Sequence, residues 1–406
     1  MNIKSLLLGS AAALVAVSGA RAADVIVPMA EPTEYVRICD VYGTGFHYIP
    51  GTETCLKIGG FVRFEYGVQG PVENSFGQDF NFNNEGDDYT AGSYTEVTIT
   101  IDAREETELG TLRATAALEN NSIGNGGYGD DGAFDADYAY IQLGGLTMGY
   151  LDTLWTEGDA LLTDTDHALG DFEVNRVSYT FAAGGLAATI SLEDDQSGDF
   201  GPNVVGKLGY SGGFGSFNLY GVYEESVPFA NGTAFPLFPF AGPQLSEDAF
   251  AIKANASFKD LIAADSELKF EGGYAFDPTT YMSQGLFSNS ATQINRLNNG
   301  FGGIPVEWQV GAAYAQSFGK LGVAVSGSFG ETFDTVESPN TVFAVNRGEA
   351  DYYKLVGNVG YEITNNFDML AEVSYSNYDF DGNGQNGFVD DEIDQTAGFL
   401  RFQRNF

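Results

Sequence analysis

The sequence predicts an all-β fold, a 16-stranded antiparallel β-barrel that spans a membrane. Three observations support this prediction. Apolar and polar residues alternate with a period of two through most of the chain, as in strands with one face on lipid and the other on water. Short and long connections between these segments alternate without exception. The basic residues within the segments fall on the face opposite the apolar one.

Composition narrows the class of protein. The 406 residues include 56 acids and 18 bases, so the net charge of -38 makes nucleic acid an improbable partner. Disorder does not follow from this acidity, because 43% of the residues are hydrophobic and 14% are aromatic. The 53 Gly, 22 Tyr and 32 Phe favour strands and tight turns over helices. Two Cys exclude a disulfide scaffold or a multi-cysteine metal protein.

Residues 1–22 have the features of an export signal. Lys4 precedes an apolar run from Leu6 to Val17, and Ala20–Ala22 fits a small-x-small cleavage site. The run is too short to span a bilayer, which disfavours the alternative of a membrane anchor. We expect the mature chain to begin at Ala23 and to reside in the periplasm, the outer membrane or the exterior.

Segments with a period of two can be followed in order along the chain. In Tyr94–Arg104, Val97, Ile99 and Ile101 share one face while the polar residues share the other. The predicted strands are 56–68, 94–104, 111–119, 136–144, 146–151, 174–182, 186–194, 204–211, 216–225, 249–259, 266–276, 306–317, 321–333, 351–363, 367–378 and 395–406.

The connections support the same architecture. Seven are tight, at 108–110, 144–145, 184–185, 212–215, 260–265, 319–320 and 365–366. Eight are long and mostly polar, at 69–92, 120–135, 152–173, 195–203, 226–248, 277–305, 334–350 and 379–394. Tight turns on the periplasmic side and long external loops are typical of a bacterial outer-membrane barrel. A soluble sandwich or β-helix does not require that regularity.

The bases within the strands predict a water-filled interior. A charge facing lipid near the midplane costs about 2–4 kcal/mol, and a soluble barrel with inverted faces would bury all these bases in a dry core. A 16-stranded barrel is wide enough to hold an aqueous channel. The ten bases are Lys57, Arg63, Arg104, Arg113, Arg176, Lys207, Lys253, Lys269, Lys354 and Arg401.

Three stretches resemble porins of alphaproteobacteria such as rhizobia. They are EYVRICDVYGTGFHYIPGTETCLKIGGFVRFEY at 34–66, LTMGYLDTLWTEGDALLTDT at 146–165, and the ending FLRFQRNF. The resemblance implies a homotrimeric general diffusion porin whose third long loop folds into the barrel. It also implies contact with outer-membrane lipids and lipopolysaccharide, and passage of ions and small hydrophilic solutes. We expect residues 23–53 to form a periplasmic or lumen segment and residues 54–406 to form the barrel.

The third long loop is acidic, and a solvated surface loop would explain its charge equally well. Its apolar Trp155, Leu161 and Leu169 need cover, which an inward fold would supply. We therefore expect it to face a basic wall across the narrowest part of the pore, although plain charge balance in the lumen is an alternative. The candidate loop acids are Glu157, Asp159, Asp164, Asp166 and Asp171. The candidate basic wall is Lys57, Arg63, Arg104, Arg113 and Arg401.

Cys39 and Cys55 are predicted to form a disulfide, the default pairing in an oxidising periplasm. No cofactor is expected, because the two Cys and His47 provide too few ligands for zinc. The stretch Asp379–Asp390 resembles the first half of a calcium loop, but a turn-rich external loop explains the same residues.

Function is predicted to be passive diffusion with a weak preference for cations, and no enzymatic activity is expected. A plugged surface or adhesin barrel is the main alternative. An outer-membrane hydrolase is a weaker one, because the GxSxG match at Gly209–Gly213 falls at a β-turn and the chain has only two His.

Overall fold

A computed structural model describes residues 37–70, 73–74, 89–122, 134–158, 161–165, 167–194, 201–225, 248–284, 304–333, 335–337, 345–381 and 391–406. Sixteen antiparallel strands form a closed barrel, because the first strand pairs with both the second and the last. All 16 predicted strands and all seven tight turns are confirmed, with boundaries shifted by a few residues. Within the described residues, no helix has the length and hydropathy needed to cross a bilayer.

The barrel strands are numbered here in chain order. They are β1 (Cys55–Gln69), β2 (Thr90–Thr107), β3 (Gly110–Ser122), β4 (Asp135–Leu143), β5 (Leu146–Asp152), β6 (Glu173–Ala183), β7 (Leu186–Glu193), β8 (Asn203–Gly212), β9 (Gly215–Glu224), β10 (Ala249–Lys259), β11 (Ser266–Ala275), β12 (Ile304–Phe318), β13 (Leu321–Thr332), β14 (Ala350–Thr364), β15 (Phe367–Phe380) and β16 (Asp391–Asn405). Short strands also occur at His47–Tyr48, Glu73–Asn74, Ser283–Gln284, Thr335–Glu337 and Val345–Gly348.

The two faces of the barrel differ as the period of two predicts. Ile58, Phe64 and Val373 are exposed on the outer face, which suits contact with lipid. Charged side chains such as Lys253 and Glu372 are buried on the inner face. The ten bases named above all occupy inner positions by strand parity, so a polar interior replaces the dry core of a soluble protein.

An apolar cluster also lies inside the barrel, against one part of its wall. Leu154, Trp155 and Leu169 come from the loop at 153–172, here called L3, which follows β5. Tyr281 and Met282 come from the segment after β11, and both are buried. L3 therefore folds inward, as predicted. The inward course of residues 279–284 was not predicted, because the sequence indicated only a long external loop at 277–305.

Residues 37–54 form a small hairpin at the tight-turn end of β1. His47–Tyr48 pairs with Leu56 and Cys55, and Asp40–Tyr42 forms a short 3-10 turn. Cys39 and Cys55 are joined by a disulfide, which confirms the predicted pairing. Phe46 packs beside the disulfide and is buried. The hairpin thus continues the β1 edge beyond the point where β16 ends.

Candidate functional site: the constricted lumen

L3 crosses the lumen and is attached to the wall along most of its length. Its described hydrogen bonds and ion pairs run from β6 round to β16. Trp155 is fully buried, and the Lys253 ammonium lies 4.5 Å from the centre of its ring. The Lys269 ammonium donates to the Gly158 carbonyl at 2.8 Å. L3 therefore narrows the lumen, and its described polar contacts lie on strands from β6 to β16 rather than on β1–β4.

The acid Glu157 is neutralised by the wall on which L3 rests. Arg176 donates to one carboxylate oxygen at 2.8 Å and Lys207 to the other at 3.1 Å. Partial burial opposes ionisation, but these two cations outweigh it and hold the pKa of Glu157 below its usual value. Glu157 therefore binds bases on its own side of the pore, whereas the sequence suggested that it would face a basic wall across it.

The tip of L3 is held by β15 and β16. Arg401 makes a two-pronged ion pair with Asp164, with Nη2 2.7 Å from Oδ2, and its Nε binds Glu65 at 2.7 Å. The buried carboxylate of Glu372 accepts hydrogen bonds from the backbone N–H groups of Asp164 and Thr165. Such charge-assisted bonds are stronger than neutral ones, so the tip is firmly positioned.

The remaining predicted loop acids are Asp159, Asp166 and Asp171. Asp159 and Asp166 lie outside the described residues. Asp171 is exposed near the end of L3, just before β6.

His167 anchors the returning arm of L3 as a neutral, buried group. Its ring nitrogens lie 2.8 Å from the hydroxyls of Ser326 and Ser328, and its carbonyl accepts from Gln309 at 2.9 Å. Burial, with a smaller effect of Lys354, lowers the pKa of His167 to about 3. The ring is therefore uncharged at neutral pH, and L3 remains docked on β13.

The inner faces of β1–β4, on which no described polar contact of L3 falls, carry more acid than base at the level of L3. Glu65 pairs with Arg401, and Glu96 pairs with Arg63 at 3.0 Å. Glu119 on β3 lies within electrostatic range of Glu96 and of Asp137 on β4. Within the described part of the chain, Glu119 and Asp137 form no ion pair. Among the described acids of this wall, Glu119 and Asp137 thus carry charge that no ion pair offsets.

The five bases of the predicted wall occupy two levels of the barrel. Arg63 and Arg401 lie at the level of L3. Lys57 is six residues before Arg63 on β1, a distance of about 20 Å along a strand. Arg104 and Arg113 share the carboxylate of Asp102 near the tight turn between β2 and β3. Lys57, Arg104 and Arg113 thus form a second group, at the tight-turn end of the barrel and beside the hairpin of residues 37–54.

Several residues that position L3 were not identified as site residues from the sequence. The bases Arg176, Lys207, Lys253 and Lys269 were placed on the inner face but were not linked to L3. The alternation along each strand showed that these bases face the lumen. It did not show which residues of L3 they contact, because the two partners of each contact are far apart in the chain. The buried acids that hold loops were also missed; they are Glu193, Glu224 and Glu372.

No group of three or more His, Cys, Asp or Glu suited to a metal ion occurs among the residues that the structure describes. The calcium-loop interpretation concerns Asp379–Asp390, of which residues 382–390 lie outside the described residues.

Comparison with known proteins gives a consistent result. A model of the porin subfamily matches residues 24–398. The chain is 33% identical to porin Omp2b of Brucella neotomae over 437 residues, and the alignment covers 100% of each chain. Porin Omp2b of Brucella suis biovar 1 is also 33% identical, over 436 residues, again with 100% of each chain covered.

Solved barrels share the fold at low sequence identity. A loop-deletion mutant of OmpT, an outer-membrane protein of Vibrio cholerae, superposes with a TM-score of 0.53 at 10% identity. An anion-selective porin from Comamonas acidovorans gives a TM-score of 0.53 at 12% identity. In both cases 87% of this chain and 100% of the other chain are covered.

Proposed function

The chain belongs to the porin subfamily, and we propose that it forms a general diffusion channel through the bacterial outer membrane, in which ions and small hydrophilic solutes pass between L3 and the inner faces of β1–β4. Membership of this family indicates a channel rather than an enzyme. The match to the family begins at residue 24. This position supports removal of residues 1–22 as a signal peptide.

The observation that carries the proposal is the distribution of charge on the barrel wall. Ionisable side chains line the inside at the level of L3, while large apolar side chains cover the outside. Burying so many charged groups without water would be prohibitively costly. A hydrated lumen removes this cost, and a 16-stranded barrel is wide enough to contain one. L3 reduces the opening but leaves the side formed by β1–β4.

Single-channel recording in a planar bilayer tests the proposal. The refolded mature chain should produce discrete conductance steps that scale with salt concentration. Detergent without protein, and heat-denatured chain at the same detergent concentration, serve as controls. A chain that is folded by circular dichroism but produces no steps would contradict the channel and favour the plugged surface barrel.

We also propose a weak preference for cations that strengthens as salt falls. Glu157 and Asp164 are paired with bases, so the charges of these two L3 acids are largely compensated. Glu119 and Asp137 border the path without such partners and attract cations. The Debye length grows from about 8 Å at physiological salt to about 30 Å at 0.01 M, so more of the acidic surface acts on an ion at low salt.

Assembly as a homotrimer is part of the proposal. OmpT of Vibrio cholerae, which shares the barrel fold, has been described in a trimer form. The outer face of this chain offers an apolar groove whose lining includes Val325, Val359, Val373 and Leu400 together with Gly357 and Gly398. Small residues permit close approach of a neighbouring subunit or of lipid chains. Cross-linking in native membranes should yield trimers, and contacts with lipids and lipopolysaccharide follow from the location.

A further inference from the structure

The segment from Thr279 to Gln284 belongs to a different external loop from L3, yet it lies in the same apolar cluster within the barrel. Glu224, at the end of β9, is 1% exposed and holds this segment in place. It accepts hydrogen bonds from the Thr279 hydroxyl and from both the backbone N–H and the hydroxyl of Thr280. A turn follows immediately, and it directs Tyr281 towards L3.

The ring of Tyr281 contacts both ends of L3. Its centre lies 6.2 Å from the ring of Trp155, near the start of the loop, and 5.2 Å from the ring of Phe172, at its end. Both pairs have edge-to-face geometry, which is favourable for aromatic rings. Since Tyr281 is fully buried, these contacts are shielded from water.

The backbone around Tyr281 lies so close to Gly170 of L3 that it leaves no room for a side chain at that position. Gly170 donates its N–H to the Ser283 carbonyl at 2.8 Å and has a φ of +68°. A Cβ on Gly170 would lie 2.4 Å from the Tyr281 carbonyl oxygen. A side chain at position 170 would therefore separate the two segments.

The Tyr281 hydroxyl completes a shared anchor for the two loops. It donates to Glu193 at 3.0 Å. The same carboxylate accepts from the Thr153 hydroxyl at 2.6 Å and from the Leu154 N–H at 2.9 Å, both at the start of L3. Glu193 is fully buried, so all three donors share one acceptor group that is shielded from bulk water.

We propose that residues 279–284 form a second constriction element, and that Tyr281 and Glu193 are positioning residues that set where L3 lies in the pore. The inference rests on the channel function proposed above. It makes the open cross-section depend on a side chain from another loop. Loss of the shared anchor releases the first residues of L3, while the Asp164–Arg401 pair still holds its tip.

Single-channel recordings of Tyr281→Phe and Tyr281→Leu test the proposal. Tyr281→Phe removes one of the three donors to Glu193 and should increase open-channel current noise. Tyr281→Leu also removes both ring contacts and should change the mean conductance and lower the voltage at which the channel closes. Glu193→Gln should resemble Tyr281→Leu, because its amide offers one acceptor oxygen where three donors converge.

Tyr274→Phe is the matched control, because the Tyr274 hydroxyl binds Glu307 at 3.1 Å on the outer face. It removes the same atom and the same kind of bond but should leave noise, conductance and closing voltage unchanged. Barrel folding is followed separately by the temperature at which each variant loses its compact band on gel electrophoresis. Thermal destabilisation of Tyr281→Leu and Glu193→Gln with wild-type conductance, noise and closing voltage would overturn the positioning role.

The variant Gly170→Ala gives an independent measure from the L3 side. It keeps every side chain of the anchor but forces the two segments apart, and should reproduce the changed conductance of Tyr281→Leu. Wild-type behaviour of this variant would also count against the proposal. Absence of conductance in the unmodified chain would instead contradict the channel function itself, so the two failures are distinguishable.

Discussion

Replacing Glu119 by Gln together with Asp137 by Asn tests whether the open wall sets the ion preference. A unit charge about 8 Å from an ion in water changes its energy by about 0.5 kcal/mol, or roughly twofold in local concentration. Two such charges enrich cations about fourfold to sixfold, and deplete anions by about the same factor, when salt is low enough to leave them unscreened. At physiological salt, where the Debye length is about 8 Å, we expect less than about half of this effect in energy.

The assay is the reversal potential in a KCl gradient, measured near 0.01 M and again near 0.15 M. The double variant should move towards equal permeability, with the larger shift at low salt. Glu307→Gln with Glu331→Gln removes two charges from the outer face, where the side chains bind Tyr274 and Trp308, and should have little effect. Equal shifts of the reversal potential in both double variants would show that the position of these acids on the open wall does not matter. An anion-selective wild-type channel would show that the predicted preference for cations is wrong.

Three further outcomes are expected. Deletion of Trp155–Asp166 should raise single-channel conductance, because it removes most of the loop that narrows the lumen; unchanged conductance in a folded barrel would contradict this. His167→Gln should weaken the pH dependence of the urea unfolding midpoint. The pKa of His167 is about 3 in the folded chain and 6.5 in the unfolded chain, so protonation of the unfolded state lowers the stability of the wild type as pH drops from about 6.5 to 3, by up to about 4 kcal/mol. Reduction of Cys39–Cys55 should expose residues 37–54 to limited proteolysis and leave the barrel intact; resistance equal to that of the oxidised chain would show that the disulfide is not needed to hold the hairpin.

The sequence was sufficient to predict the barrel because each of its elements leaves a local pattern. The period of two separates the lipid face from the lumen, and Gly, Asn and Asp mark the tight turns. Counting the segments with this period gave the strand number, and the alternation of short and long connections placed tight turns at one end of the barrel and long loops at the other. Ten bases on the face opposite the apolar one then indicated a water-filled interior, since a charge on the apolar face would contact lipid.

The inward fold of L3 was predicted less directly. Its Trp155 and Leu169 needed cover, and the family resemblance indicated where they would find it. Asp164 does meet Arg401, as a loop acid facing a wall base should. The disulfide followed from the compartment alone, because only two Cys were available.

The partners of each charge were decided only by the tertiary structure. Glu157 binds Arg176 and Lys207 beneath the loop, whereas Lys57 lies about 20 Å along the strand from the level of L3. Strand parity tells which face a residue occupies, but not its height relative to a loop, because height depends on strand stagger and tilt around the whole barrel. The inward course of residues 279–284 was hidden for the same reason. Tyr281 meets Trp155 and Glu193 only because closure of the barrel brings distant strands together, and a one-dimensional pattern contains no record of that closure.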